Sequence, residues 1–364
     1  MTTPATRRER TRQHVLFRLR RLKDAGHVFA QSRIGLVGIV ILLLFATLPF
    51  IHTALRATVW QAKMYDPVFG FDQNSMPHPA PPSWIPPDWL ADDNPHRFDK
   101  NRPSWVHLLG TDSLGRDVLS ALMASTMPTF VVGITAALAT AVIGLSIAAL
   151  SAYHRGWVDG IFSHISDAFM MIPAPIFLIA IGIFLQTQRT TFTQIIYLSL
   201  TGNELVNDNL ELFLQPLEFG LIYGIIAGLG GAAIVLRSHG LKVMSLSFVE
   251  ASRVAGGQSS HIISRHLIPH MLPLAAIYTL IIVTGAVVAN GFLSFFGLNP
   301  NPLNWGTMIY NAFIYSTLNF IIPWAALLAP AVAISLFAAA FYMVSLGLNQ
   351  VVDPHLRADF HREE

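Results

Sequence analysis

No cysteine occurs anywhere in the chain, so disulfides, thiolate metal sites and cysteine nucleophiles are excluded. Charge is the second scarcity. Only 12% of the 364 residues are Asp, Glu, Lys or Arg, against about 25% in ordinary soluble domains. The 23 basic and 21 acidic residues nearly cancel, for a net charge of +2, so net charge by itself says nothing about nucleic acid. A third absence is the string G-x-x-x-x-G-K-[ST], which is found nowhere, so the lysine and backbone amides that cradle nucleotide phosphates are missing. What abounds is apolar: 53% of the residues are hydrophobic and mean hydropathy is +0.51.

Much of that hydrophobicity falls in runs. A bilayer core of about 30 Å needs about 20 apolar residues in a helix. Six stretches meet this or come close: 34–53, 129–152, 168–186, 219–236, 272–293 and 320–346. The chain is therefore expected to be an all-α integral membrane protein with six transmembrane helices. The basic leader before the first run (Arg7, Arg8, Arg10, Arg12, Arg18, Arg20, Arg21, Lys23, Arg33) makes residues 1–33 a cytoplasmic segment. The run that follows is too long for a cleaved signal and reads as an anchor. Alternation through six spans then puts both termini inside. Inner segments 1–33, 153–167, 237–271 and 347–364 hold sixteen of the 23 Lys and Arg, an asymmetry that supports the assignment.

Outside the membrane, 54–128 carries the Pro- and Trp-rich string PHPAPPSWIPPDW, too broken for a long helix. The stretch 187–218 is an acidic insert, with Glu204, Asp208, Glu211 and Glu218. Both are expected to be solvated caps. Residues 129–346 form the core, and 347–364 a cytoplasmic tail. Within the spans, Pro173, Pro175, Pro323 and Pro330 are expected as interruptions that neighbouring helices make good. Gly220, Gly224 and Gly228 form a small-residue face suited to close helix packing.

The inner loop 247–270 reads SFVEASRVAGGQSSHIISRHLIPH. Its apolar residues fall in two groups, Phe248, Val249, Val254 and Ala255, then Ile262, Ile263, Leu267 and Ile268, each on one helical face. Gly256 and Gly257 separate them, which predicts helix, turn, helix, with Pro269 and Pro273 marking the return to the membrane. Such a pair can fit a groove on a partner protein. AGGQS within it is similar to the LSGGQ signature of ATP-binding cassette ATPases, but without a phosphate-binding loop the match is coincidental.

The same loop resembles the EAA loop of ABC importer permeases. Glu250-Ala251-Ser252 is followed by Gly256 and then Pro269 at that motif's spacing, and Val249, Arg253, Ile262, Ile263, Arg265 and His266 also match the dipeptide/oligopeptide (OppC/DppC-type) branch. HLLGTDSLGRDVLSALM (107–123) and LSFFGLNPNPLNWGTM (293–308) resemble two further motifs of that branch, in the same order. The resemblance implies a type I ABC importer permease fold in the inner membrane, with no enzymatic activity and no cofactor of its own. ATP and Mg would be bound by ABC ATPase subunits docking on Glu250, Ala251, Ser252, Arg253, Gly256, Gly257, Arg265 and Pro269. A second permease and an extracytoplasmic peptide-binding protein are the other implied partners.

Further candidates remain. Gly110, Thr111, Asp112, Gly115, Arg116 and Asp117 are expected to form a salt-bridged elbow at the outer surface. As the one external cluster of opposed charges, Asp112, Arg116 and Asp117 are also where a membrane enzyme would be tested. Tyr278, Thr284 and Asn290 are the candidate path residues, because polar groups within spans are costly unless used or paired. Asn290 stands where related permeases usually have Glu. His261, His266 and His270 lack a complete ligand set and read as structural rather than metal-binding. The alternative is an ion-driven secondary transporter, which calls for paired intramembrane charges and inverted repeats.

Overall fold

The computed structural model describes residues 26–90, 92, 94–98, 104–187, 195, 198–199, 202, 208–299, 301–319 and 323–352. The basic residues before position 26, Glu204, Pro300, residues 320–322 and the tail from 353 lie outside the described residues. Helix dominates, and among the described residues the one β feature is an isolated antiparallel bridge between Thr111 and Asp117. Five helices are long and apolar enough to cross a membrane, and a bent pair brings the total to as many as six.

Helix α1 (Arg33–Thr58) starts at Ser32, whose hydroxyl accepts from the Gly35 amide at 3.2 Å and satisfies one free N–H of the first turn. It buries few residues and packs along α12 (Trp324–Val352). After α1 the chain runs through short 3-10 turns into α2 (Val118–Ala124) and α3 (Thr126–His154). α3 is the axis of the bundle, with buried positions along its whole length.

The expected third span, 168–186, is not one helix. α4 (Gly156–Met171) and α5 (Ala174–Thr187) meet at 92°. Pro173 explains the break: it cannot donate a helix hydrogen bond and forces Ile172 into extended geometry (φ −76°, ψ 122°). Pro175 lies in the first turn of α5 and Pro323 just ahead of α12. Of the four prolines expected inside spans, therefore, only Pro330 sits in a helix interior.

The fourth span is longer than its apolar run. It comprises α6 (Asp208–Ala227), a π-turn (Gly228–Ala232) and α7 (Ala233–Met244). Gly230 departs from helical geometry inside the π-turn. The Ser166 hydroxyl on α4 donates to the Leu229 carbonyl at 2.6 Å and satisfies an oxygen beside this joint. N-terminal to it, the glycine face meets α3 at backbone distance. A Cβ on Gly220 would lie 1.9 Å from Thr135 Oγ1, and one on Gly224 would lie 2.4 Å from the Ala136 carbonyl. Thr140 adds a hydrogen bond to the Gly224 carbonyl at 3.0 Å.

The loop carries α8 (Ser247–Val254) and α9 (Ser259–Ile262), then a π-turn (Ile263–Leu267) that flows into α10 (Ile268–Phe295). The expected helix–turn–helix is present, but its second helix does not end at the membrane. Ser259 to Phe295 is one helix of 37 residues. Pro269 and Pro273 lie within it, Pro269 directly after the π-turn, where the widened ladder makes room for a residue that cannot donate. A further helix not read from the sequence, α11 (Trp305–Asn319), precedes α12. The loop seats on the end of α3 near Ala152, and the 107–117 elbow stands at its other end. By length α3 separates the two by about 40 Å.

Candidate functional site

At the loop end, one buried cluster joins Val249, Ile262, Leu267 and Met271 to Leu236, Val243 and Met244 of α7 and to Ala148, Ala149 and Ala152 of α3. Burying these side chains holds the loop against the bundle. The opposite face is open: Glu250, Ala251, Arg253, Gly256, Arg265 and Pro269 are exposed, and Ser252 and Gly257 are half-buried. Val254, grouped with the apolar face in the sequence, is instead 85% exposed on this outer side. The α8 helix closes on a glycine cap. Gly256 adopts φ +79° and donates to the Arg253 carbonyl at 3.0 Å, while Gly257 donates to the Ser252 carbonyl at 2.9 Å. The left-handed residue lets the last carbonyls of α8 find donors and turns the chain sharply. Arg253 lies over the Tyr153 ring of α3, 5.4 Å from its centre. His270 stacks on Phe248 at 4.9 Å and bonds to the His266 carbonyl.

At the opposite end of α3, the 110–117 segment is a tight hairpin. Gly110 (φ +76°) and Gly115 (φ +81°) take the left-handed turns. Asp112 accepts from the Leu114 and Arg116 amides at 2.9 Å and pairs with the Arg116 guanidinium at 2.6 Å. Asp117 caps α2 through the Ser120 amide at 2.6 Å. The elbow expected at the outer surface is buried: Thr111, Asp112, Gly115, Arg116 and Asp117 are all covered, by the polar segment that precedes them. Thr111 exchanges hydrogen bonds with Ala80, its amide to the Ala80 carbonyl and its hydroxyl from the Ala80 amide. Two members were not found from the sequence. His107 touches Asp117 through Nδ1 (2.8 Å) and Asp72 through Nε2 (3.1 Å). Burial lowers the affinity of His107 for a proton, but the two carboxylates outweigh it and hold the pKa above its ordinary 6.5. His107 lies in the quoted motif; nothing local singles out Asp72, 35 residues away.

A family described as the inner membrane component of binding-protein-dependent transport systems matches residues 141–358, more than half the chain. The protein belongs to this permease family. The permease is also similar over most of its length to named relatives. One is the glutathione transport system permease protein GsiD of Pectobacterium atrosepticum, 26% identical over 267 residues, 72% of this chain and 78% of the relative. Another, from Brucella suis biovar 1, bears the name of a peptide transport system permease and is 26% identical over 277 residues, 74% of this chain and 82% of the relative. The family fixes the location as the inner membrane and the architecture as that of a transport permease.

Within the permease, the path candidates are not alike. Asn290 is buried, and its Oδ1 accepts from Asn299 Nδ2 at 2.8 Å. Asn299 in turn accepts from the Asn301 amide, and Asn301 donates to the Leu212 carbonyl at 3.1 Å. This asparagine chain ties the end of α10 to the loop before α11 and to α6. Trp305 donates to the Leu122 carbonyl at 3.0 Å and fastens α11 to α2. Thr284 donates to the Ala338 carbonyl of α12 at 3.0 Å. Tyr278 alone carries no such bond in the described set; it is half-buried, its hydroxyl resting beside Gly231 of the fourth-span joint. Among the described residues no cluster of three or more His, Cys, Asp or Glu has the geometry to hold a metal.

Proposed function

We propose that this permease imports short peptides as one of two membrane subunits of an ABC transporter, with the 247–270 loop docking into a separate ATPase. The observation that carries this reading is the division of the loop into a buried face rooted in α3, α7 and α10 and a free face presenting Glu250, Arg253, Val254 and Gly256. A loop whose anchor is packed and whose polar face is open transmits force rather than absorbing it. The names of the relatives, peptide and glutathione permeases, support a peptide cargo.

In this reading the loop and both termini are cytoplasmic, and the elbow and its cap face the binding protein. ATP and Mg reside in the ATPase, and ATP-driven closure of that partner pushes α8 and α9. A rigid-body change of the bundle follows. Tyr278 faces the path beside the second permease, while Thr284 and Asn290 shape its wall from within.

The test is capture of the cognate ATPase by the reconstituted permease, wild type against Glu250→Arg. Strong capture by the wild type and a loss of tenfold or more in the variant, about 1.4 kcal/mol or more of binding free energy, is the expected outcome. Absence of capture under every nucleotide condition overturns the proposal in favour of a carrier driven by ions.

A further inference from the structure

A neutral imidazole has one N–H, and an imidazolium has two. An ionised carboxylate only accepts. His107 is 4% exposed, and each ring nitrogen faces a carboxylate oxygen, Asp117 Oδ2 on one side and Asp72 Oδ2 on the other. Both contacts are hydrogen bonds at once only when the ring is protonated. When it is neutral, one nitrogen turns a lone pair toward a buried carboxylate, an arrangement that repels.

Among the described residues, the groups around the ring are otherwise engaged or uncharged. The Arg116 guanidinium is committed to Asp112. The Tyr65 ring lies 5.5 Å from that of His107. His78, from the cap, bonds to Thr111 at 3.0 Å, and its affinity for a proton is lowered, chiefly by burial. His52, from α1, bonds to the Ser120 hydroxyl at 3.0 Å.

The two arms are held unequally. Asp117 is fixed by its cap on α2. Asp72 caps a three-residue 3-10 turn, Gln73–Ser75, and its other oxygen accepts from the Asn74 amide, two residues on. His107 itself has φ +53°, a left-handed conformation that is strained for a residue with a Cβ. The side-chain clamp helps to hold it there, together with backbone bonds that the His107 carbonyl accepts from Ser83 and Gly110.

We propose that His107 is a proton-operated latch whose imidazolium form fastens the Asp72 turn of the cap to the elbow at the head of α3, and whose deprotonation releases the Asp72 arm. The direction of its titration agrees. With the folded pKa raised above 6.5, the clamp contributes its full stability below about pH 6.5 and loses it as pH rises through the folded value. The latch rests on the transport reading only for the compartment whose pH it senses, the outer one.

The experiment is hydrogen–deuterium exchange of the full-length permease in phosphatidylethanolamine–phosphatidylglycerol nanodiscs, read on peptides covering 69–80. It needs no transport, so failure of the latch and failure of the transport reading are distinguishable. After correction for the chemical exchange rate, wild-type exchange is expected to be about tenfold faster near pH 9 than near pH 6. Asp72→Asn removes this step and keeps the segment protected at both pH values, because a side-chain amide can donate to the neutral ring while Nδ1 serves Asp117. His107→Gln, which cannot be protonated, loses the step too. His78→Gln keeps it. A wild type whose protection does not change with pH overturns the latch, and so does an Asp72→Asn variant with the wild-type step.

Discussion

At the scale of single residues, the molecule is most sensitive where charge is buried. Asp112 and Arg116 are both covered, and the hairpin backbone is built around their contact. Removing one partner strands the other, which costs about 3–5 kcal/mol. Asp112→Ala is therefore expected to lower the thermal midpoint of the detergent-solubilised permease by several degrees, measured by intrinsic fluorescence; an unchanged midpoint would mean that the pair is solvated. Gly256 is the second sensitive position. Its φ of +79° penalises any Cβ, although the space around it is open. Gly256→Ala should cost about 1–2 kcal/mol, seen as faster exchange of the last turn of α8, while the bundle's global unfolding stays in place. Asp112 and Arg116 were legible as a salt-bridged pair because they stand in one short motif with fixed spacing. Asp72 was not, because its role depends on a fold that carries it back over 35 residues to His107.

At the scale of elements, apolar length located five spans and missed what happens inside them. The run 168–186 is apolar throughout, so composition alone could not show that Pro173 divides it. Pro269 and Pro273 mark the return to the membrane without ending a helix, because the π-turn before Pro269 keeps this helix whole. Val254, like Phe248 and Ala255, fell with the apolar face by period and is exposed; Val249 is the one buried residue of this eight-residue helix. The glycine face was read correctly, because four-residue spacing has one geometric meaning on a helix. Gly224 approaches the Ala136 carbonyl so closely that a leucine there would drive α6 off α3. Gly224→Leu is expected to cost about 1–3 kcal/mol or more. Loss of folded, monodisperse permease on size-exclusion chromatography is the readout, with Gly160→Ala, in open space on α4, as the tolerated control.

At the scale of the whole molecule, the helices sort into parts that hold together and parts with a joint between them. Arg237 on α7 grips Asp159 on α4 with both arms of its guanidinium, just past the Gly228–Ala232 turn. This ion pair links the loop-bearing half of the fourth span to the helix that leads into the 92° bend. Arg237→Asp alone should lower ATP-driven uptake severalfold in reconstituted transporter while leaving ATPase capture intact. Combining it with Asp159→Arg should restore much of the loss, since the swapped pair can re-form. A double variant no better than the single would show that the contact is incidental. The helix from Ser259 to Phe295 is the longest element attached to the loop. At 1.5 Å per residue it is about 55 Å long, with the 247–270 loop at one end and the Asn290–Asn299 tie near the other. It is a lever whose two ends cannot move independently: pivoting it by about 5° at the loop sweeps the far end through about 5 Å, roughly the width of a peptide backbone.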